Sequence, residues 1–235
     1  SNPAEYARLA EQLIMHDRVN TIFGCYMSSS RKAVLPVVEK WNKLLFYPTL
    51  YEGFEFSANI IYTGAAPNQN SVQLADFMTS SFGARVYLIG SDYIWPPTSM
   101  KIARKHIESV AKLGTVKGEE YYPLGHTNFN SLINKIKVAK PDCIFAAVVG
   151  GSNVAFYKQL KAAGITGDQQ FLLTLSVTED EMTGIGGENF QGFYSSMKYF
   201  QSLDNENNKA FVAAFKAEYG ANSVIGDVTQ AAYLG

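Results

Sequence analysis

GCYMSSSRKAVLPVVEKWNKLLFYPTLYEGFE, residues 24–55, decides the fold of this chain. A short β-branched run (residues 21–25) stops at small and hydroxyl residues. A helical pattern follows, with Val34, Val37, Val38 and Trp41 at helical spacing, and then a second strand, Leu44-Leu45-Phe46-Tyr47, which Pro48 breaks. GSDYIWPP, residues 90–97, repeats the strand-then-stop pattern. In open parallel α/β sheets, ligands sit just beyond the carboxyl ends of the strands. Those ends here carry Tyr26, Ser28, Tyr47, Thr49, Tyr93 and Trp95. Aromatic walls with hydroxyl and amide donors, and few charges, describe a pocket for a small neutral polar molecule.

The chain has 235 residues, enough for one large or two small α/β domains. A net charge of −1 argues against a nucleic-acid partner, which demands a basic face. No apolar run approaches the roughly 18 residues of a membrane span. The two cysteines, Cys25 and Cys143, fall in different predicted domains and read as small core residues rather than a disulfide.

Outward from the opening stretch, the alternation of strands and helices continues. Residues 4–17 read as an amphipathic helix with Pro3 in its first turn. Further strands are expected at 59–63, 86–89, 116–122, 143–149, 171–175 and 193–197. Helices are expected from Pro97, from about Asn130, over 153–163 ending at Gly164, and over a last segment ending at Gly220. Residues 64–67 read as a flexible stretch. This pace implies parallel sheets covered on both faces.

Ser28 and Thr49 fit two roles, helix-cap or turn residue and ligand contact. The roles are compatible, since a helix N-terminus offers unpaired N–H groups. Tyr93 and Trp95 alternate along an extended segment and project to one side; packing against a neighbouring helix is the other reading. A catalytic reading is weak. His16 and His106 read as surface helix residues, and His126 has no partner at metal-ligand spacing. There is no G-x-S-x-G elbow. The glycines at 184, 186 and 187 lack the full phosphate-loop pattern. Asp92, Glu179, Asp180 and Glu181 read as loop charges or helix caps. No catalytic residue, metal or cofactor is expected.

The quoted stretch, with YTGAAPNQN, GSDYIWP, SNVAFYKQLKAAGI and FQSLDNENNKAFVAAFKAEYG, resembles the urea and short-chain amide receptors of the type I periplasmic-binding-protein fold. The likeness covers nearly the whole chain. It implies a two-lobed α/β protein with parallel sheets flanked by helices: a first lobe of 1–64 and 198–235, and a second of 65–197. Family members carry a strand–helix–strand unit before residue 1 and continue past residue 235. The first lobe is therefore expected to be incomplete, with an unpaired edge beside the 21–25 strand.

Carried over residue by residue, the pocket comprises Tyr26, Ser28, Tyr47 and Thr49 from one lobe and Tyr93, Trp95, Val149, Gly150 and Ser176 from the other. None of these is charged, so no acid is expected for an amino-acid ammonium. Related amide sensors have Tyr where Trp95 stands, and many urea-importer members have an acid about where Gly151 stands, so amide against urea stays open. The resemblance implies a non-enzymatic binding protein for urea or a short-chain amide, with the permease of an ABC importer as partner, in the periplasm. The alternative is a cytoplasmic amide-sensing module bound to a signalling partner. A homodimer is compatible with either.

Overall fold

The computed structural model describes residues 2–234. They form two compact units, one running to Pro67 and resuming at Val228, the other spanning Asn68–Asp227.

The first unit contains α1 (Pro3–Met15), β1 (Thr21–Phe23), α2 (Ser28–Lys40), β2 (Leu44–Tyr47) and β3 (Ile60–Tyr62). Asn2 caps α1, its Oδ1 accepting from the Ala4 N–H at 3.1 Å, with Pro3 in the first turn. The strands are parallel, in the order β1-β2-β3. Ala10, Ile14, Val34, Val38, Leu45 and Ile60 form the core between the two helices and one face of this sheet. On the other face, Phe23, Phe46 and Ile61 stand side by side in register, and Phe23 and Ile61 are exposed. Among the described residues β1 pairs on one side only.

The second unit contains α3 (Ser71–Phe82), β4 (Arg85–Ser91), α4 (Trp95–Lys105), β5 (Thr115–Tyr122), α5 (Asn130–Ala139), β6 (Cys143–Ala147) and α6 (Gly151–Ala162). It continues with β7 (Phe171–Thr174), α7 (Glu179–Ile185), α8 (Gly187–Phe190), β8 (Tyr194–Ser195) and α9 (Glu206–Tyr219), and α10 (Asp227–Leu234) leads out of it. Its five strands are parallel, in the order β5-β4-β6-β7-β8. β4 is flanked by β5 on one side and β6 on the other, so the strand order reverses there, the position where such sheets open a crevice. Tyr87, Ile89 and Ile144 pack with Phe129, Leu132 and Phe156 on one face, while α3 and α4 cover the other. That double cover explains why β6 is buried along its whole length.

Three expectations need correction. Residues 198–227 group with the second unit: hydrogen bonds from the N–H groups of Lys198 and Tyr199 to the Asp227 carboxylate (3.0 and 3.1 Å) close the segment on itself, and its end lies against the start of α7, where a Cβ on Gly226 would stand 2.5 Å from Asp180 Oδ2. Between Pro67 and the strand expected at Val86 stands a helix that the expected elements lack, α3, which Asn70 caps and which buries Leu74, Ala75 and Met78. Trp95 is the first residue of α4, with Pro96 and Pro97 in its opening turn, so Tyr93 and Trp95 do not alternate along an extended segment. α4 then loosens into a π-helical turn, His106–Val110, in which His106 bonds Asp76 at 2.6 Å.

Phe156 is fully buried, edge-on to Phe129 at 5.2 Å. Phe156→Ala is expected to cost the second unit about 3–5 kcal/mol. Hydrogen exchange of the β6 amides, which reports this unit alone, measures it.

Candidate functional site

Each unit presents a cluster of the expected residues beyond the carboxyl ends of its strands. In the first, Tyr26 and Ser28 follow β1, while Tyr47 ends β2 and Thr49 follows it. The Tyr47 hydroxyl donates to the Tyr26 carbonyl at 3.2 Å. Ser28 does not cap α2: Met27 holds the cap position, and Ser28 is the first helical residue. Its hydroxyl donates to Glu52 Oε2 at 2.6 Å and accepts from Arg31 Nη1 at 3.2 Å. Ser28, Arg31, Tyr47 and Glu52 are all buried, whereas Tyr26 is half exposed.

Arg31 is the centre of this arrangement. Its guanidinium pairs with Glu52 (Nη2–Oε1, 2.6 Å) and Glu55 (Nε–Oε1, 2.7 Å), and lies 4.7, 5.3 and 5.9 Å from the ring centroids of Tyr47, Tyr51 and Tyr62. Lys32 reaches Glu55 at 2.8 Å, and the Tyr62 hydroxyl donates to Glu55 at 2.7 Å. Burial opposes the Arg31 charge, yet the Glu55 hydrogen bond and the Glu52 charge outweigh it and raise its pKa. Burial likewise works against the Glu55 carboxylate, but hydrogen bonds from Arg31, Lys32 and Tyr62 hold its pKa at about 2. Two cations face two carboxylates, so the cluster balances internally. Charge reading along the sequence missed it, because its members lie 21 and 24 residues apart.

In the second unit, Ser91 ends β4, Val149 and Gly150 follow β6, and Ser176 follows β7. Ser91 Oγ accepts from the Val149 N–H at 3.1 Å, Ser176 Oγ donates to the Val148 carbonyl at 2.5 Å, and Asn153 Nδ2 donates to the Ser176 carbonyl at 3.4 Å. These bonds draw the ends of three strands together. Tyr93 and Trp95 stand at the head of α4, their ring centroids 6.4 Å apart, with Trp95 buried. Gly150 adopts φ 63° and ψ −145°, a region open essentially to glycine alone. A Cβ on Gly150 or Gly151 would meet nothing within 4 Å. The open space is a hollow of about 300 Å³ lined by Gly150, Gly151, Asn153, Asp180, Glu181 and Gly184.

Neither cluster is therefore free of charge, whereas the residues alone predict an uncharged pocket. Glu52 holds Ser28, and Asp180 and Glu181 line the hollow beside Gly150. Glu181 also closes a capping box with Thr178, accepting from its N–H at 2.7 Å and its hydroxyl at 2.8 Å.

Among the described residues six buried side-chain polar atoms have no hydrogen-bond partner. Four lie just past strand ends: Thr49 Oγ1 after β2, Ser152 Oγ and Asn153 Oδ1 after β6, and Glu179 Oε2 after β7. Buried polar atoms are nearly always paired, so these atoms, one in the first unit and three in the second, are where each unit has hydrogen-bonding capacity to spare. Neither thiol offers a nucleophile at neutral pH. Burial pushes Cys25 up to about 11 and Cys143 up to about 12, and both are free.

The periplasmic binding protein domain family matches residues 1–235. The chain belongs to that family. The Leu/Ile/Val-binding protein homolog 6 of Brucella melitensis is a relative of this family member, 24% identical over 243 residues, with 100% of this chain and 61% of that protein covered. A solute-binding protein of an ABC transporter from R. palustris, solved in complex with 4-hydroxybenzoate, is 27% identical with a TM-score of 0.88, over 99% of this chain and 64% of the other. The leucine-binding protein LivK of Thermotoga maritima shares the fold, with a TM-score of 0.83 at 20% identity, over 99% of this chain and 66% of that one. This periplasmic binding protein domain thus spans less than two thirds of the relatives it matches. No helix among the described residues is long and apolar enough to cross a membrane.

Two outcomes follow from the geometry. Thr49→Val keeps the shape and removes an orphaned hydroxyl, so the ligand-free protein should lose no stability while ligand affinity falls by about 1–3 kcal/mol. Thermal melting with and without ligand reads both effects. Glu55 has a folded pKa below its ordinary value of 4.5, so its stabilisation is complete above about pH 4.5 and lost as pH falls towards 2. The first unit should therefore lose up to about 3 kcal/mol over that window. Acid titration by circular dichroism should show Glu55→Gln lacking this component.

Proposed function

We propose that this chain is the ligand-binding part of a solute-binding protein that delivers a short-chain amide or urea to the permease of an ABC importer, in the periplasm. The observation that carries the binding role is the set of orphaned buried polar atoms past the strand ends, at Thr49, Ser152, Asn153 and Glu179. An amide or urea presents a carbonyl acceptor and NH2 donors on a few atoms, the complement of such a site. The cluster around Ser28 balances its own charges, so in this reading it demands no charge from the ligand. In this reading the ligand contacts are Tyr26, Ser28, Tyr47 and Thr49 in the first unit and Tyr93, Trp95, Val149, Gly150 and Ser176 in the second.

A second reading, an α-amino acid, draws on Asp180 and Glu181 beside Gly150, which can face an ammonium. The relative named for leucine, isoleucine and valine supports the same reading.

A thermal-shift panel of acetamide, formamide, urea, leucine and 4-hydroxybenzoate separates these. A ligand at about 100 times its Kd should stabilise the protein by about 2.7 kcal/mol. The expected hit is acetamide or urea. Its affinity should hold steady between about 0.01 and 1 M salt, over which the Debye length shrinks from ~30 to ~3 Å. Stabilisation by leucine alone would replace the amide reading with the second. Stabilisation by 4-hydroxybenzoate alone would overturn both.

A further inference from the structure

The hydrogen-bonding capacity of Ser28 is already partly spent. A serine hydroxyl has one donor and two acceptor lone pairs. The donor goes to Glu52 Oε2 at 2.6 Å, and one lone pair receives Arg31 Nη1 at 3.2 Å. Glu52 cannot easily turn away, because its other oxygen is paired with Arg31 at 2.6 Å and its side chain is buried. A carboxylate only accepts, so the hydroxyl proton has a fixed direction. The Tyr47 hydroxyl also lies beside Ser28, but its own proton goes to the Tyr26 carbonyl, so one acceptor lone pair is all that Ser28 retains.

We propose that Glu52 is a specificity-determining positioning residue: it locks Ser28 as an acceptor, so that the ligand group against Ser28 must be an N–H or O–H donor. This deepens the reading of Ser28 as a ligand contact. It says which end of an amide faces Ser28, namely the NH2. It also rejects a carboxylate there, because two acceptors would meet with no proton between them. In a Glu52→Gln protein the side-chain amide can donate to Ser28 Oγ, which frees the serine proton to point at a ligand and removes the bias.

The test compares acetamide with acetate, two ligands of nearly equal shape, by calorimetry on the wild-type chain, Glu52→Gln and Glu52→Asp. The wild-type chain should prefer acetamide by at least tenfold. Glu52→Gln should narrow that ratio at least tenfold, chiefly by gaining acetate affinity, and Glu52→Asp should restore part of it. A merely structural role for Glu52 would weaken both ligands alike and leave the ratio unchanged, which overturns the proposal. The lock is also read with no ligand present, by NMR of the Ser28 hydroxyl proton. It should exchange slowly in the wild-type chain, and in Glu52→Gln rapidly if that variant folds. Rapid exchange in the wild type overturns the proposal whatever Glu52→Gln does. Failure to bind any amide would remove the amide reading, whereas the hydroxyl measurement still decides the lock.

Discussion

A guanidinium with no exposure to water constrains the rest of the first unit. Removing a charge from water costs several kcal/mol unless its partners are well placed, and stranding one partner costs more than the pair ever contributed. Arg31 meets that condition with two carboxylates and three tyrosine rings. Both carboxylates come from the irregular segment between β2 and β3, so charge binds this segment to α2, beside the packing of Tyr51 on the core. Its side chains divide accordingly: Glu52 and Glu55 turn inward, while Phe54 and Phe56 are almost wholly exposed. The turn that permits this has positive φ at Gly53 (71°) and Phe54 (57°). Gly64 adds a second clamp, since a Cβ there would stand 2.0 Å from the Thr49 carbonyl oxygen.

The second unit solves the same problem with neutral groups. Where the first unit fixes its strand ends by ion pairs, this one ties β4, β6 and β7 through the hydroxyls of Ser91 and Ser176 and the amide of Asn153. The contrast has a physical consequence. Ionic fastening responds to acid, because a carboxylate can be protonated, whereas hydroxyl and amide fastening does not. Both designs leave buried polar atoms unpaired at the same topological place, one in the first unit and three in the second, and the parallel direction of every strand pair puts that place at one end of each sheet.

Much of this was legible in the residues, and the failures have identifiable causes. β2 was readable in full, because Leu44–Tyr47 is an apolar run that a proline ends. β6 was readable from its uninterrupted burial signal. α3 was obscured by the Gly, Pro and Asn residues before it, although Leu74, Ala75 and Met78 follow helical spacing. The start of α4 was misplaced by two residues because prolines were read as the first helical positions rather than as followers of Trp95. Thr178 and Glu181 stand in capping-box spacing and fit the helix-cap reading of these acids, although α7 itself was not expected. The ion cluster was the least visible part. No local pattern links Arg31 to acids more than twenty residues away, and the one hint was a pair of glutamates within an aromatic stretch.

The chain has two tryptophans, and the fold assigns one to each unit. Trp41 sits at the far end of α2 from Ser28, about 20 Å along the helix axis, where its indole N–H reaches Glu11 at 3.3 Å. Trp95 opens α4 at the strand ends of the second unit, buried against the same turn that carries Tyr93. Indole emission from this protein therefore has one component remote from the strand ends of its own unit and one beside them. A Trp41→Phe background would leave a single tryptophan, excitable at wavelengths where the 14 tyrosines do not absorb, whose emission follows the polarity at the head of α4 with no attached dye.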